Sequence, residues 1–375
     1  MNLALSDEQV LLREAARGAL SRFKTLEEAR EALDSGGSPT DLWPTAKEAG
    51  WPGLLIDEAH GGAGLDAFDA MLVLGECGRV LAAVALLGHL PATAILNDSP
   101  AAASLLGDLA SGERRAAYLP ARPPDDLSES WSVDPASGME RGALPTAAGA
   151  GDDAKVSGRI AFAPDSPGAD VLVGMALVDG QPTGFAVEAA ATGVSIESVR
   201  RYDATRALGH VTLQDAPVTL LDAPERSLAD AWHLTQALIA AESLGAVESA
   251  LDVSVAYAKD RYTFGRAIGS YQAVKHSLTE VLRQLENGRS LLYYAGWSRR
   301  GAPEEFPLAA NAARSVAGRA LDTAARTMIS VHGGIGATWE HDAPLYFRRA
   351  QLTRRLLGGT ELASDRVAGE LIAKA

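Results

Sequence analysis

Three stretches of different texture follow one another along the 375 residues, and their order limits the fold more than any single motif does. Residues 1–113 are rich in Ala, Leu and Glu at helical spacing. Ser6 and Gln9 form a capping-box pattern that opens a helix running through Phe23. Further helical stretches lie near 39–49, 66–81 and 98–111, interrupted by the turn sequence His60-Gly61-Gly62-Ala63-Gly64. Residues 114–225 carry short β-favouring runs at Val171–Val173, Gly184–Val187, Val194–Ile196 and His210–Leu213, separated by Gly, Pro and Asp. Residues 226–375 return to long helical patterns, with Leu238, Ala241, Leu244, Leu251 and Val255 spaced by three, four or seven. The expected architecture is α+β: an N-terminal helical domain, a middle β-barrel or sandwich, and a C-terminal helical bundle. The stretch 119–155, with Pro123-Pro124-Asp125-Asp126 and a Gly/Ala-rich run, reads as loop.

Composition narrows the function classes. A formal net charge of −14 repels a polyanion on average, so nucleic acid is not the expected partner. No run of apolar residues reaches the length of a membrane span. The first residues are acidic and lack the basic start and apolar core of a secretory leader. The single cysteine, Cys77, lies in the apolar run Leu72–Leu81 and reads as a small core residue rather than a nucleophile. Together these features lead one to expect a cytoplasmic protein.

Two local motifs suggest a phosphate-bearing ligand. His332-Gly333-Gly334-Ile335-Gly336 would let a backbone approach a phosphate or sugar closely. It follows the helical run Ala317–Val331 rather than a strand, which excludes the Rossmann fingerprint, and a helix cap with a turn explains it equally well. Arg261-Tyr262-Thr263-Phe264-Gly265 ends another helix. There an arginine either grips a diphosphate with two hydrogen bonds or simply complements the helix dipole.

In combination these motifs resemble the acyl-CoA dehydrogenase family over nearly the whole chain. Gly53–Glu58 followed by Gly61–Leu65, then Leu74–Arg79, resembles one family segment, with Asp57 where proline is usual. Arg261-x-x-Phe264-Gly265 with Gln272 resembles a second, and His332–Gly336 with Trp339-Glu340-His341-Asp342 a third. The resemblance implies α,β-dehydrogenation of an acyl-CoA with FAD as hydride acceptor and an electron-transfer flavoprotein downstream. It also implies a homo- or hetero-tetramer in which each FAD is shared across a dimer interface. Arg261, Thr263, Phe264 and Gln272 then contact the diphosphate and adenosine half of the neighbour's FAD, and Gly333 and Gly334 line the same half.

The catalytic half of the resemblance is thinner. The family's base is a glutamate near the C-terminus, where this chain has Leu357 or Gly358; some members carry it instead at the position of Thr235. The nearest carboxylate on that helix is Glu242, on the same face but about 10 Å along the axis, and it is the candidate base, with Glu361 as a second. His233 and Gln236 replace an aspartate and arginine that hold CoA. The family's Thr-Glu-Pro-x-x-Gly-Ser-Asp segment has only a faint counterpart in Ser128-Glu129-Ser130-Trp131-Ser132. Tyr202-Asp203-Ala204-Thr205-Arg206 and the string from Trp339 to Asp342 resemble actinobacterial members that pair unlike subunits as α2β2, notably those acting on steroid side chains. Three readings therefore stand at the level of sequence. The chain is an active dehydrogenase using Glu242, a non-catalytic subunit that completes a partner's FAD site, or a divergent oxidase or carrier-thioester dehydrogenase.

Overall fold

A computed structural model describes residues 4–120 and 144–373. The N-terminal helices are α1 (Asp7–Leu20), α2 (Thr25–Ser35), α3 (Trp43–Glu48), α4 (Ala67–Arg79), α5 (Leu86–Asn97) and α6 (Ala103–Ser111). The capping box forms as its residues demand: Ser6 Oγ accepts from the Gln9 amide at 3.2 Å, and Gln9 Oε1 accepts from the Ser6 amide at 3.1 Å. Two helices escape the sequence pattern, α2 and α5. The latter is apolar on all sides and contains Pro91, so it shows neither amphipathic period nor a clean helical composition. It is buried through its length and meets the sheet through His89, whose Nδ1 accepts from the Ala116 amide at 3.0 Å. The glycine-rich turn after Ile56 also has a structural job. Ala63, Gly64 and Leu65 donate back to the carbonyls of Gly53, Ile56 and Leu54, and a Cβ on Gly62 would lie 2.0 Å from the Ile56 carbonyl oxygen.

The strands are β1 (Ala116–Leu119), β2 (Thr146–Ala148), β3 (Lys155–Pro164), β4 (Val171–Val178), β5 (Gln181–Glu188), β6 (Val194–Ser198), β7 (Leu208–Pro217) and β8 (Thr219–Leu220). They form one curled mixed sheet in the order β6-β7-β3-β2-β4-β5-β8, with β1 added parallel to β4. Each of the β-favouring runs of the sequence lies in a strand. By contrast, β3 was not anticipated, because Gly158, Arg159 and Pro164 break its β-favouring residues. Within the expected loop 119–155, β2 forms a short strand; residues 121–143, including Ser128–Ser132, lie outside the described residues.

Beyond the sheet come α7 (Glu225–Asp260), β9 (Tyr262–Thr263), β10 (Arg266–Ala267), α8 (Gln272–Gly301), α9 (Phe306–His332), α10 (Ala343–Thr353) and α11 (Gly359–Ala373). The 36-residue α7 is the axis of the molecule, packed against α4, α8 and α9 within a core that N- and C-terminal helices share. It crosses α4 backbone to backbone: a Cβ on Gly78 would sit 1.9 Å from the Glu242 carbonyl, and one on Gly245 1.8 Å from that of Gly75. Cys77 is fully buried at this crossing, and burial pushes its thiol far above the ordinary range, so it packs rather than reacts. Among the described residues no helix is long and apolar enough to cross a membrane.

Candidate functional site

The candidate cofactor residues meet at one end of the helical bundle. Arg261 caps α7 and the chain turns at once into the β9–β10 hairpin, where Phe264 and Gly265 both adopt positive φ, 53° and 80°. The hairpin is stiffened from below: Tyr271 OH donates to the Thr263 carbonyl at 3.0 Å, and the Arg266 guanidinium stacks 4.0 Å over the Tyr271 ring. Gln272 follows as the first residue of α8. The end of α9 arrives alongside, because the rings of Tyr257 and His332 lie 4.3 Å apart. Gly333, at φ 63° and ψ −136°, then breaks α9 in a conformation that only glycine adopts easily.

This end is open. Arg261, Gln272, Gly333 and Gly334 are exposed, Thr263 is half-buried, and Phe264 is 93% exposed. A Cβ on Gly333 or Gly334 would meet nothing within 4 Å, so there is room for a ligand directly against the backbone. Arg261 has no ion pair among the described residues. Tyr262, Ile335 and Trp339 add exposed apolar surface. A free guanidinium, a bare glycine backbone and aromatic edges suit a diphosphate joined to an adenosine, and the residues present therefore fit FAD.

The other candidate positions lie in a closed region midway along α7. His233, Thr235, Gln236 and Leu357 are all buried. Thr235 spends its hydroxyl on the Ala231 carbonyl at 2.7 Å. His233 Nδ1 meets Asn311 at 3.3 Å, and burial lowers its pKa to about 3, so it is neutral. Gln236 donates to the Leu357 carbonyl at 3.3 Å and accepts from Arg314 Nε at 3.2 Å. Arg314, 0% exposed, also donates to the carbonyls of Thr353 and Leu356, and burial lowers its pKa to about 10. Leu357 itself takes a positive φ of 52° beside Gly358.

Glu242, the candidate base, is 4% exposed and holds a buried ionic network together. Arg206 binds one of its oxygens and Arg349 Nη1 the other, the latter at 2.8 Å. Arg349 also donates to Asp203 at 2.8 Å and to the Thr205 carbonyl at 2.9 Å. Burial opposes the charge on Arg349, but Glu242 and Asp203 outweigh it and raise its pKa. Burial likewise opposes the charge on Asp203, and Arg349 and Thr205 more than compensate, holding it below the usual carboxylate range. Both Glu242 oxygens are thus taken, and neither faces a free space from which it would receive a substrate proton. Glu361 lies exposed in the first turn of α11. Sequence reading missed this network, although a glutamate in the apolar run of α7 needed cationic partners, and Arg206 and Arg349 stood in segments already singled out or adjacent to them.

Residues 6–121 match the acyl-CoA dehydrogenase N-terminal domain and residues 229–372 the acyl-CoA dehydrogenase C-terminal domain. The acyl-CoA dehydrogenase IpdE2 of Mycobacterium tuberculosis is 32% identical over 354 residues, 94% of this chain and 93% of the relative. FadE34 of the same organism, also an acyl-CoA dehydrogenase, is 29% identical over 96% of this chain and 47% of its own length. Among solved structures, a chain of the ChsE4–ChsE5 complex from Mycobacterium tuberculosis superposes with a TM-score of 0.86 at 25% identity over 99% of each chain. A variant of the steroid acyl-CoA dehydrogenase Tcur3481–Tcur3483 superposes with a TM-score of 0.85 at 28% identity over 98% of each. The chain belongs to the acyl-CoA dehydrogenase family of flavoproteins.

Proposed function

We propose that this chain is the non-catalytic half of a heteromeric α2β2 acyl-CoA dehydrogenase, completing the FAD site of an unlike, catalytic partner. One observation carries the reading: the residues suited to a neighbour's FAD are open and gathered at one end, while of the positions the family uses for its base Leu357 is apolar and Thr235 bonded to its own helix, and Glu242 is locked between two arginines. In such an assembly FAD accepts the β-hydrogen of an acyl-CoA as hydride while a base on the partner chain removes the α-proton. This chain's part is to hold. Arg261 would bind the diphosphate with charge-assisted hydrogen bonds, and Gly333 and Gly334 would let the dinucleotide lie against the backbone. Thr263 and Gln272 would supply further hydrogen bonds, and Phe264 would cover the adenosine half as the interface closes. The arrangement of Glu242 favours a structural role over the base expected from sequence. The likeness to the steroid enzyme supports a lipid or steroid side chain as the pair's substrate, with an electron-transfer flavoprotein as acceptor and the cytoplasm as its place of work.

Expression decides between the readings. Purified alone, the chain should be colourless; co-expressed with an acyl-CoA dehydrogenase chain encoded beside it, the pair should carry stoichiometric flavin absorbance and oxidise acyl-CoA. Glu242→Gln in the pair should leave turnover in place. A yellow chain that turns over acyl-CoA unaided, and loses that activity with Glu242→Gln, would restore the active-dehydrogenase reading.

A further inference from the structure

A cavity of about 730 Å³ opens between the three parts of the chain, bordering the Glu242 network through Asp203 and Arg206. Its walls come from the end of α2, the segment before α5, the loop between β6 and β7, and Trp339 and Arg348 near the start of α10. The volume is that of a site for a small organic ligand. Its charges do not balance. Asp203 is committed to Arg349, and Asp41 pairs with Arg115 at 2.5 Å. Asp165 is the remaining acid of the wall; it accepts from the Gly88 amide at 2.8 Å, and burial raises its pKa to about 6.

Against that single acid stand Arg200, Arg201 and Arg348, none of which has a carboxylate partner among the described residues. Arg201 lies with its guanidinium carbon 4.9 Å over the Phe162 ring, and its buried Nε has no hydrogen-bond acceptor. Arg206 is 8% exposed; one amino group binds Glu242, but its buried Nε is likewise unsatisfied. Arg348 is aimed by the Tyr202 carbonyl at 2.6 Å and by Trp339, 4.8 Å beneath it. A buried donor without an acceptor costs about 1–3 kcal/mol, so two in one wall mark a place where an acceptor belongs. The opposite wall is apolar, with Leu33, Pro39 and Val84.

We propose that this cavity binds a phosphorylated ligand of nucleotide size, with its phosphates against Arg201, Arg206 and Arg348 and its organic part against the apolar wall. Three guanidinium groups, of which only Arg206 has a carboxylate partner among the described residues, suit a polyanion better than a single carboxylate. The site uses different side chains from the Arg261 end and does not depend on the chain's role in flavin binding. A free nucleoside diphosphate and a carrier such as coenzyme A offer the same chemistry.

Isothermal titration of the full chain with ADP, coenzyme A and inorganic pyrophosphate tests the assignment. ADP or coenzyme A should bind in a salt-sensitive way, and the tighter of the two identifies the source. Arg201→Met and Arg348→Met should each weaken that binding tenfold or more while thermal unfolding shows them folded, and Arg283→Met, an exposed arginine of α8 paired with Glu280, should leave it unchanged. No binding of any of the three probes would overturn the proposal. So would binding that survives both cavity variants, or that disappears with Arg261→Met alone.

Discussion

The two regions of α7 face opposite demands. At its C-terminal end the backbone is bare, Arg261 has no ion pair among the described residues and Phe264 projects into solvent; midway along, His233, Gln236 and Glu242 are buried and bonded to Asn311, Arg314 and Arg349 respectively. The same rule produces both. Buried polar groups must find partners within the protein, whereas groups awaiting a ligand must be left without them. On the proposed reading, the closed region is a family site filled with structure, and the open end is the one kept free for a neighbour's FAD.

The largest expected effect would break the closed side of this contrast. Arg349→Met leaves Glu242 and Asp203 buried with too little positive charge and should lower the unfolding free energy by about 3–5 kcal/mol, read by denaturant titration. A change below about 1 kcal/mol would mean that the network is not structural. On the open side, Arg261→Met in the assembled pair should weaken FAD retention by roughly ten- to a hundredfold with little change in stability, from the loss of charge-assisted hydrogen bonds worth about 1.5–3 kcal/mol. Flavin fluorescence during dilution measures it.

Asp165, at the edge of the closed region, sharpens the contrast through pH. Its folded pKa, about 6, lies above the ordinary value of about 3.9 for the unfolded chain. Between those values the folded chain holds a proton that the unfolded chain releases, so stability is greatest below the lower value and falls as pH rises through the upper one. Asp165→Asn should therefore stabilise the chain by about 1–3 kcal/mol at pH 7.5, with the gain vanishing near pH 4. The smallest pair of effects concerns the glycines. Gly333→Ala should cost about 1–2 kcal/mol of stability through its positive φ. Gly334→Ala, in αR geometry with open space around it, should leave thermal unfolding unmoved yet weaken FAD retention in the pair.

Much of the architecture was legible because periodicity and capping are local. Ser6 and Gln9 announce the start of α1, and the alternation of helical and β-favouring runs gives the layer order. The fully apolar α5 was not legible, since a helix buried on all sides has no amphipathic period, and β3 hid behind its Gly, Arg and Pro. At the site, neither helix-ending motif names the other; only the family resemblance implied that Arg261 and Gly333 serve one ligand, and the structure brings the two helix ends together through Tyr257 and His332. The pairing of Glu242 with Arg206 and Arg349 was not legible, because it joins positions 36 and 107 residues apart and nothing in either segment names the other. Chemistry readable from one helix gave a candidate base; chemistry spread over three elements showed what holds it.

The β9–β10 hairpin has a consequence for the living cell. A phenyl ring carried on a braced two-residue turn, almost wholly wetted, is an adhesive tip that is harmless only once something closes over it. Surplus copies made without a companion would meet each other by that tip. If the chain pairs with an unlike partner as proposed, Phe264 itself would impose balanced synthesis of the two, before any substrate arrives.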